Sequence, residues 1–245
     1  MRPKITIAGL QQLKRDGQKI AAVVVYDYPM ARIADRAAVD IVSVGDSVGV
    51  NIWGQDSEDD VTVDQMLLAC QAVRRGVTGA VVSCDIPSSS ADVVSAARRL
   101  VDEGGADMVK VEASVETVRT IVDTGVAVWA QLCGNGAGGG GQEVAGLVRE
   151  ARALEGAGAS LIDFRHSGPV AGTAVAQSVS IPVIGGLGGG PWLDGRVRAI
   201  GNAIGYTAAA LDDAGDRYAN VAQIALDAIA SYADDVRGGR QIRGK

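Results

Sequence analysis

The chain has 245 residues, of which 47% are hydrophobic, and its formal net charge at neutral pH is −6. This acidic balance argues against a nucleic-acid or anionic-membrane partner, because both require a basic surface. No apolar run reaches the roughly 20 residues of a membrane-spanning helix, and the first residues lack the apolar core of about 7–15 residues found in signal peptides. Three cysteines without paired spacing are typical of reduced thiols, so we expect a cytoplasmic protein.

Short runs rich in Val, Ile and Ala alternate with amphipathic stretches along the chain. Near-continuous apolar runs of this kind predict buried parallel strands joined by crossover helices. Eight such strands in 245 residues match the usual size of a (β/α)8 TIM barrel, and a doubly wound sheet is the alternative. We expect a single barrel domain over residues 1–245, with an N-terminal helix. The predicted strands span residues 20–27, 40–46, 80–86, 107–112, 127–133, 160–166, 181–187 and, weakly, 196–201.

Polar caps and glycine runs separate these elements. Thr62 and Ser90 start two helical patterns that each end at glycine, which predicts both residues as N-caps. The stretch "GNGAGGGGQ" at residues 134–142 follows the fifth strand, and it is either a loop without a role or a lid over a site. The run "GGLGGGP" at residues 185–191 gives weak support for a phosphate site, since barrels often bind phosphate there.

Four successive predicted strands end in an acidic residue. In a barrel, the carboxyl ends of all strands lie on one face, so acids far apart in sequence converge there. Converging carboxylates repel each other unless protons or a cation offset their charge, and oxygen-only ligands favour a hard cation such as Mg²⁺. A single acid in this position often caps the next helix, which Asp27 can equally do. The acids predicted to bind Mg²⁺ are Asp46, Asp85 and Glu112.

Two further polar residues share this face of the predicted barrel. Ser47 follows Asp46 in "VGDSVG", where glycines let the backbone approach a ligand closely. Lys110 lies two residues before Glu112, so both side chains leave the strand on the same side. A buried ammonium is costly to desolvate, so Lys110 must be paired with carboxylates or bind substrate, and one role does not exclude the other.

Several motifs, in chain order, resemble the ketopantoate hydroxymethyltransferase family. They are "AVVVYDYPMARIADRAAVDIVSVGDSVGV", "VTVDQMLLACQAVRRGV", "CDIP", "MVKVE", "ALEGAGASLI" and "IPVIGGLGGGPWLDGR". The family belongs to the phosphoenolpyruvate mutase and isocitrate lyase superfamily of barrels, which bind a 2-oxo acid on Mg²⁺. The resemblance implies that Mg²⁺ is bound by Asp46, Asp85 and Glu112. It implies that the 2-oxo acid is held by Asp46, Ser47, Asp85 and Lys110.

The resemblance also implies a reaction and an assembly. In the family, an enolate formed at C3 of the 2-oxo acid attacks the methylene group of 5,10-methylenetetrahydrofolate, and a hydroxymethyl group is transferred. Family members form large homo-oligomers. We therefore expect a small-molecule 2-oxo acid as substrate, possible use of the folate as co-substrate, and a homo-oligomer.

The end of the sixth predicted strand departs from the family pattern. Arg165 stands where the family has its general base, a glutamate, and a guanidinium cannot accept a proton at neutral pH. Gln131, on the fifth strand, stands where the family has a histidine. The half of the site expected to bind metal therefore matches the family, whereas the half expected to move the proton does not.

Three interpretations of this replacement are open. Another group is the base, and His166 is the best candidate because imidazole titrates near neutral pH, although neighbours on a strand point to opposite faces. Alternatively, Arg165 binds a second anionic group, and the protein is an aldolase, lyase or mutase of the superfamily acting on a more anionic 2-oxo acid. In the third interpretation the protein is a non-catalytic scaffold. A salt bridge from Asp163 to Arg165 is a structural alternative.

Overall fold

The computed structural model describes residues 3–134, 141–187, 189–213 and 215–239. Most of the glycine stretch predicted as a loop or lid, and one glycine of the run at 185–191, lie outside these residues. The chain divides into two compact units, Met1–Arg198 and Ala199–Lys245. A single domain over residues 1–245 stays a prediction.

In the described part of the chain, eight parallel strands form a closed barrel, in which each strand pairs with the next. This confirms the predicted (β/α)8 TIM barrel and excludes the doubly wound sheet. All eight strands are shorter than their predicted runs, because residues at the ends of the runs lie in loops. The strands are β1 (Ile20–Val24), β2 (Ile41–Val44), β3 (Val81–Asp85), β4 (Met108–Val111), β5 (Val128–Cys133), β6 (Leu161–Arg165), β7 (Val183–Gly185) and β8 (Gly195–Ala199).

Helices precede the barrel and connect its strands, as the alternating pattern predicts. The loop after β2 carries a π-helical turn (Gly49–Trp53) and a 3₁₀ turn (Glu58–Asp60) instead of regular structure. The helices of the first unit are α1 (Ile7–Arg15), α2 (Tyr28–Arg36), α3 (Val63–Gly76), α4 (Val93–Asp102), α5 (Val115–Asp123), α6 (Gly141–Gly156) and α7 (Pro169–Ser178).

The second unit is helical. It contains α8 (Ile200–Ala203), a 3₁₀ turn (Ala208–Leu211) and α9 (Val221–Arg237). Asn220 caps α9 by accepting a hydrogen bond from Gln223 N at 3.1 Å. Among the residues described, no helix is both long and apolar enough to cross a membrane.

Side-chain caps fix the starts of helices α2 and α3. Thr62 caps α3 as predicted, and its partner in a capping box is Gln65. Asp27 accepts a hydrogen bond from Met30 N at 2.8 Å and so caps α2. The first of the four strand-end acids therefore has the capping role that the sequence left open for it.

The predicted cap of α4 is wrong. The helix begins at Val93, and its cap is Asp92, which accepts a hydrogen bond from Ser95 N at 2.9 Å. Ser90 lies two residues too early to reach the third helical N–H, and its hydroxyl donates to Asp92 O at 3.1 Å instead. The acidic side chain therefore takes the position that favours an acceptor at the helix N-terminus.

Alternation along the strands divides the inside of the barrel into layers. An apolar layer, packed against Leu10 of α1, fills the amino-terminal end and consists of Ile20, Ala22, Ile41, Val81, Met108, Trp129, Leu161, Ile184 and Val197. Successive inward positions follow at intervals of two residues, because strand side chains alternate between faces. The next inward positions are Ser43, Ser83, Lys110, Gln131 and Asp163. Above them come Gly45, Asp85, Glu112, Cys133 and Arg165. Polar groups are therefore concentrated at the carboxyl end.

Asp35, near the end of α2, holds the segment that leads into β3. Its Oδ2 atom accepts hydrogen bonds from Thr78 N at 3.0 Å and Thr78 Oγ1 at 2.8 Å. Its Oδ1 atom accepts from Gly79 N at 2.8 Å and Ala80 N at 3.0 Å. Burial raises the pKa of Asp35, but these hydrogen bonds outweigh it and hold the pKa below its ordinary value of 3.8.

We expect Asp35→Asn to lower the free energy of unfolding by about 1–2 kcal/mol, because an amide cannot accept all four hydrogen bonds and the site is partly exposed. A lowered pKa stabilises the fold above the unfolded value, and that contribution is lost as the pH falls through the lowered pKa. Denaturant titrations should therefore show a deficit at neutral pH that narrows below about pH 4. Asp102→Asn, at the exposed end of α4, is the control. A deficit that does not vary with pH would contradict this account.

Candidate active site

A buried ion pair lies inside the carboxyl end of the barrel. Asp85, the last residue of β3, is the register partner of Lys110 on β4. Lys110 Nζ lies 2.9 Å from Asp85 Oδ2, and both side chains are 7% exposed. The same Nζ atom lies 5.7 Å from the centroid of the Trp129 ring in the apolar layer, which is a cation–π distance. The lysine is thus paired, as the cost of burying an ammonium requires.

The two members of this pair are charged at neutral pH. Burial raises the pKa of Asp85 to about 6; Lys110 opposes this effect and Asp46 adds to it. Burial lowers the pKa of Lys110, but Asp85 and Asp163 outweigh it, so that the pKa is raised. Asp85 Oδ1 is buried and has no hydrogen-bond partner in the described part of the chain. A carboxylate oxygen is therefore available to a cation or a donor.

Asp163 adds a second buried carboxylate beside Lys110. Its side chain is 2% exposed, and its Oδ2 atom lies 3.8 Å from Lys110 Nζ and 3.4 Å from Arg165 Nε. The salt bridge to Arg165 that the sequence suggested is therefore present. Asp163 Oδ1, like Asp85 Oδ1, is buried without a partner among the described residues. Two carboxylates and two cations thus meet at the carboxyl end of β3, β4 and β6.

The loop after β2 places a hydroxyl group beside this cluster. Tyr26 and Ser47 share a hydrogen bond of 2.9 Å between their hydroxyls, and Asn51 Nδ2 donates to Tyr26 Oη at 3.2 Å and to Ser47 O at 2.9 Å. A side chain at Gly45 would lie 2.9 Å from Val24 Cγ1 and 3.0 Å from Ser47 Oγ. Glycine is therefore required for the loop to hold Ser47 in this position.

Tyr26 and Asn51 were not predicted as site residues. Tyr26 directly precedes Asp27 in the first motif of the resemblance, so the motif itself carried a signal for it. Asn51 lies in the π-helical turn, whose irregular backbone no periodic pattern reveals.

Glu112 lies at the edge of the site. The residue is exposed, and its Oε2 atom accepts a hydrogen bond from Gln131 Nε2 at 2.6 Å. The same Gln131 nitrogen lies 3.6 Å from Cys133 Sγ. Gln131, which stands where the family has a histidine, therefore orients the predicted metal-site acid on the neighbouring strand.

The arginine and the histidine at the end of β6 lie in different environments. Arg165 occupies an inward position and is the register partner of Cys133 on β5. His166 has a left-handed backbone with φ of 51°, its backbone N donates to Leu187 O at 2.7 Å, and its side chain is exposed. Among the described residues, no hydrogen bond or ion pair joins its ring to the charged cluster, so the structure brings Arg165 into the cluster and leaves His166 outside it.

Glu58, in the 3₁₀ turn after β2, is a further acid that the sequence did not single out. Burial raises the pKa of Glu58 and Asp46 adds to this effect, whereas Arg165 and Lys110 oppose it. The side chain therefore lies in the electrostatic field of the cluster. A run of three acids at Glu58–Asp60 was the available signal, but such a run is more typical of a solvated surface.

The donor set suits a hard cation. Asp46 lies close enough to Asp85 to raise its pKa, and both supply carboxylate oxygens, one of which is buried without a partner. Within the described ranges, no three acidic, histidine or cysteine side chains form a ready-made ligand group. Asp46 and Asp85 fit a Mg²⁺ ion that keeps part of its water, which is its usual state in proteins.

Comparison with solved structures agrees with the barrel fold. The barrel is similar to 2,3-dimethylmalate lyase, with a TM-score of 0.64 and 15% identity over 95% of this chain and 88% of that chain. It is also similar to phosphonopyruvate hydrolase in complex with oxalate and Mg²⁺, with a TM-score of 0.62 and 16% identity over 96% of this chain and 89% of that chain. At such low identity, these likenesses show the fold alone.

Similarity in sequence is closer. The 3-methyl-2-oxobutanoate hydroxymethyltransferase of Shouchella clausii (strain KSM-K16) is 36% identical over 251 aligned residues, which cover 95% of this chain and 90% of the relative. The protein of the same name from Syntrophotalea carbinolica is 36% identical over 98% of this chain and 96% of its own length. The family model for ketopantoate hydroxymethyltransferase matches residues 4–241. The chain therefore belongs to the ketopantoate hydroxymethyltransferase family.

Proposed function

We propose that the protein is a Mg²⁺-dependent enzyme that enolises a 2-oxo acid and transfers a hydroxymethyl group to its C3 atom. The observation that carries the proposal is the buried pair of Asp85 and Lys110, whose carboxylate keeps one oxygen without a partner in the described chain. Relatives named 3-methyl-2-oxobutanoate hydroxymethyltransferase support the type of reaction.

Asp46 and Asp85 would hold the metal directly, and Glu112 would contribute through water, since its side chain lies at the edge of the site. When bound, Mg²⁺ would polarise the C2 carbonyl of the 2-oxo acid and stabilise the negative charge that develops on its oxygen. From the same positions, Asp46 and Asp85 would also contact the 2-oxo acid.

Lys110 and Ser47 would orient the substrate. Lys110 Nζ carries three N–H donors, and only part of this capacity is used by Asp85. The Ser47 hydroxyl shares a hydrogen bond with Tyr26, and the Ser47 carbonyl accepts one from Asn51; the hydroxyl would donate to the substrate carboxylate. Because the donors are fixed before substrate binds and Lys110 is buried, their interaction with developing charge is stronger than it would be in water.

Removal of the C3 proton needs an acceptor, and two groups compete for this role. His166 stays a prediction, since it is exposed and outside the cluster. Glu58 is the second candidate: it is also exposed, and what supports it is that burial and Asp46 raise its pKa, although Arg165 and Lys110 oppose this effect. A carboxylate with a raised pKa holds a proton more readily near neutral pH.

The predictions about the co-substrate, the cellular location, the assembly and the macromolecular partners of the protein stay predictions. They are the use of 5,10-methylenetetrahydrofolate as co-substrate, a cytoplasmic location, a homo-oligomer, and the absence of nucleic-acid and membrane partners.

Deuterium exchange at C3 tests the proposed function. With Mg²⁺ in D₂O, we expect catalysed exchange of at least one 2-oxo acid from a panel that includes 3-methyl-2-oxobutanoate, and we expect exchange to stop when EDTA removes the metal. Addition of 5,10-methylenetetrahydrofolate should then give a hydroxymethylated product. Absence of exchange with every acid tested would contradict enolisation, and exchange without transfer would favour the aldolase or lyase alternative.

A further inference from the structure

The charged cluster contains an arginine whose two Nη groups have no partner in the described part of the chain, although its Nε contacts Asp163. Resting on the proposed function, we infer that the substrate is a 2-oxo dicarboxylate, and that Arg165 binds its second carboxylate. Lys110 serves the 2-oxo acid end, together with Ser47 and the metal-site acids. The side chain at C3 of the substrate would then extend toward β6.

Arg165 has the geometry of a receptor for a carboxylate. Among the described residues, its one contact with an acid is between Nε and Asp163 Oδ2, at 3.4 Å. Neither Nη atom has a hydrogen bond to any residue in the described part of the chain. The side chain is 32% exposed, so the guanidinium reaches the solvent side of the cluster. A guanidinium with two free nitrogens presents the planar fork that binds a carboxylate bidentately.

Asp163 positions this arginine. The carboxylate is almost fully buried, and its Oδ2 atom contacts both Lys110 and Arg165. Because both contacts end on one oxygen, the two cationic groups lie within the length of a small molecule. Arginine–carboxylate pairs are frequently bidentate, whereas this contact is made through Nε alone and leaves both Nη groups without a partner in the described part of the chain.

The charge of the site argues against an apolar substrate side chain. An aliphatic group placed against Arg165 would remove water from its free N–H donors without replacing the lost hydrogen bonds. A carboxylate in the same place would satisfy those donors and offset their charge. The site therefore discriminates by the cost of leaving the Nη donors of Arg165 without hydrogen-bond partners, which is a stronger basis for selection than shape alone.

Matched pairs of substrates test this inference. The five-carbon pair is 2-oxopentanedioate and 2-oxopentanoate, the six-carbon pair is 2-oxohexanedioate and 2-oxohexanoate, and within each pair only the terminal group differs. We expect the dicarboxylate of at least one pair to exchange deuterium at C3 with the higher kcat/KM. Arg165→Gln should lower the ratio of dicarboxylate to monocarboxylate kcat/KM by about 10- to 100-fold. Arg99→Gln, which removes an arginine of α4 that pairs with Asp64 and Glu103, should leave the ratio unchanged.

Binding gives a second readout that does not depend on turnover. Calorimetric titration with the preferred dicarboxylate and Mg²⁺ should show a Kd raised by about 10- to 100-fold in Arg165→Gln. If Asp163, left with one cation, prevents this variant from folding, the variant Asp163→Asn/Arg165→Gln keeps the charge balance and takes its place.

The outcomes separate the two proposals. If no 2-oxo acid exchanges, the proposed function fails, and the titrations alone decide the inference. The inference is overturned if neither dicarboxylate binds or exchanges better than its methyl-ended partner, or if the loss of Arg165 affects both members of a pair equally.

Discussion

Asp85→Asn is expected to lower the Mg²⁺-dependent exchange rate by about 100- to 1,000-fold. The carboxylate would contact both the metal and the substrate, and its buried Oδ1 atom has no other partner among the described residues. An amide keeps the shape but supplies no negative charge, so Lys110 loses the anion that lies 2.9 Å from it. The measurement is exchange at C3 of the best substrate at saturating Mg²⁺.

Asp123→Asn, at the exposed end of α5, is the matched control and should keep full activity. A folding defect would be a different explanation of a lost rate, so stability must be followed as well. In the metal-free wild type, the pKa of Asp85 is raised to about 6, so the unfolded chain releases this proton at a lower pH than the folded protein does. The free energy of unfolding should therefore fall as the pH rises from about 4 to about 6. Asp85→Asn should lack this decrease. An active variant at wild-type stability would refute the role of Asp85.

The fold was predictable because its signal is repeated. Most strands are short apolar runs followed by a helix, and repetition of that unit leaves few other architectures, although no helix lies between β7 and β8 in the described part of the chain. The exact ends of elements were less predictable. Ser90 and Asp92 are both acceptable caps by residue type, and only the backbone decides which of them reaches the third N–H of α4.

The interior of the site was predictable where strand geometry controls it. The intervals of two residues that place Lys110 below Glu112 also place Asp163 below Arg165, so register brings these groups into one cluster. Glu112 departs from this pattern. Its position continues the alternation of β4, but its side chain is exposed and accepts a hydrogen bond from Gln131.

Loops contain the part of the site that could not be predicted from the sequence. Asn51 and Glu58 lie in irregular turns after β2, and no periodicity connects such positions to the barrel. His166 was a candidate for the general base because it is the only histidine of the chain. Its left-handed backbone at the end of β6 removes it from the strand alternation on which its predicted orientation depended.

Lys110→Met is expected to give the largest loss of stability, about 3–5 kcal/mol, because it leaves buried carboxylates without their shared cation. Asp85 would lose its partner at 2.9 Å, and Asp163 would keep only the 3.4 Å contact to Arg165. Methionine retains much of the length and the apolar stem, so the change removes the charge and adds little strain. Denaturant titration measures the loss in the metal-free protein.

Lys4→Met provides the control, because Lys4 pairs with Asp107 at the same 2.9 Å distance but is 49% exposed, and its loss should cost less than about 1 kcal/mol. The deficit of Lys110→Met should also shrink as the pH falls. Burial raises the pKa of Asp85, and loss of Lys110 removes the charge that opposes this effect, so a proton binds more tightly to the folded state and restores its stability in acid. Adding Asp163→Asn should recover part of the loss, since one of the two uncompensated charges is then gone. A deficit that is independent of pH and unchanged by Asp163→Asn would mean that Lys110 stabilises the barrel by packing on Trp129, and not by neutralising the acids.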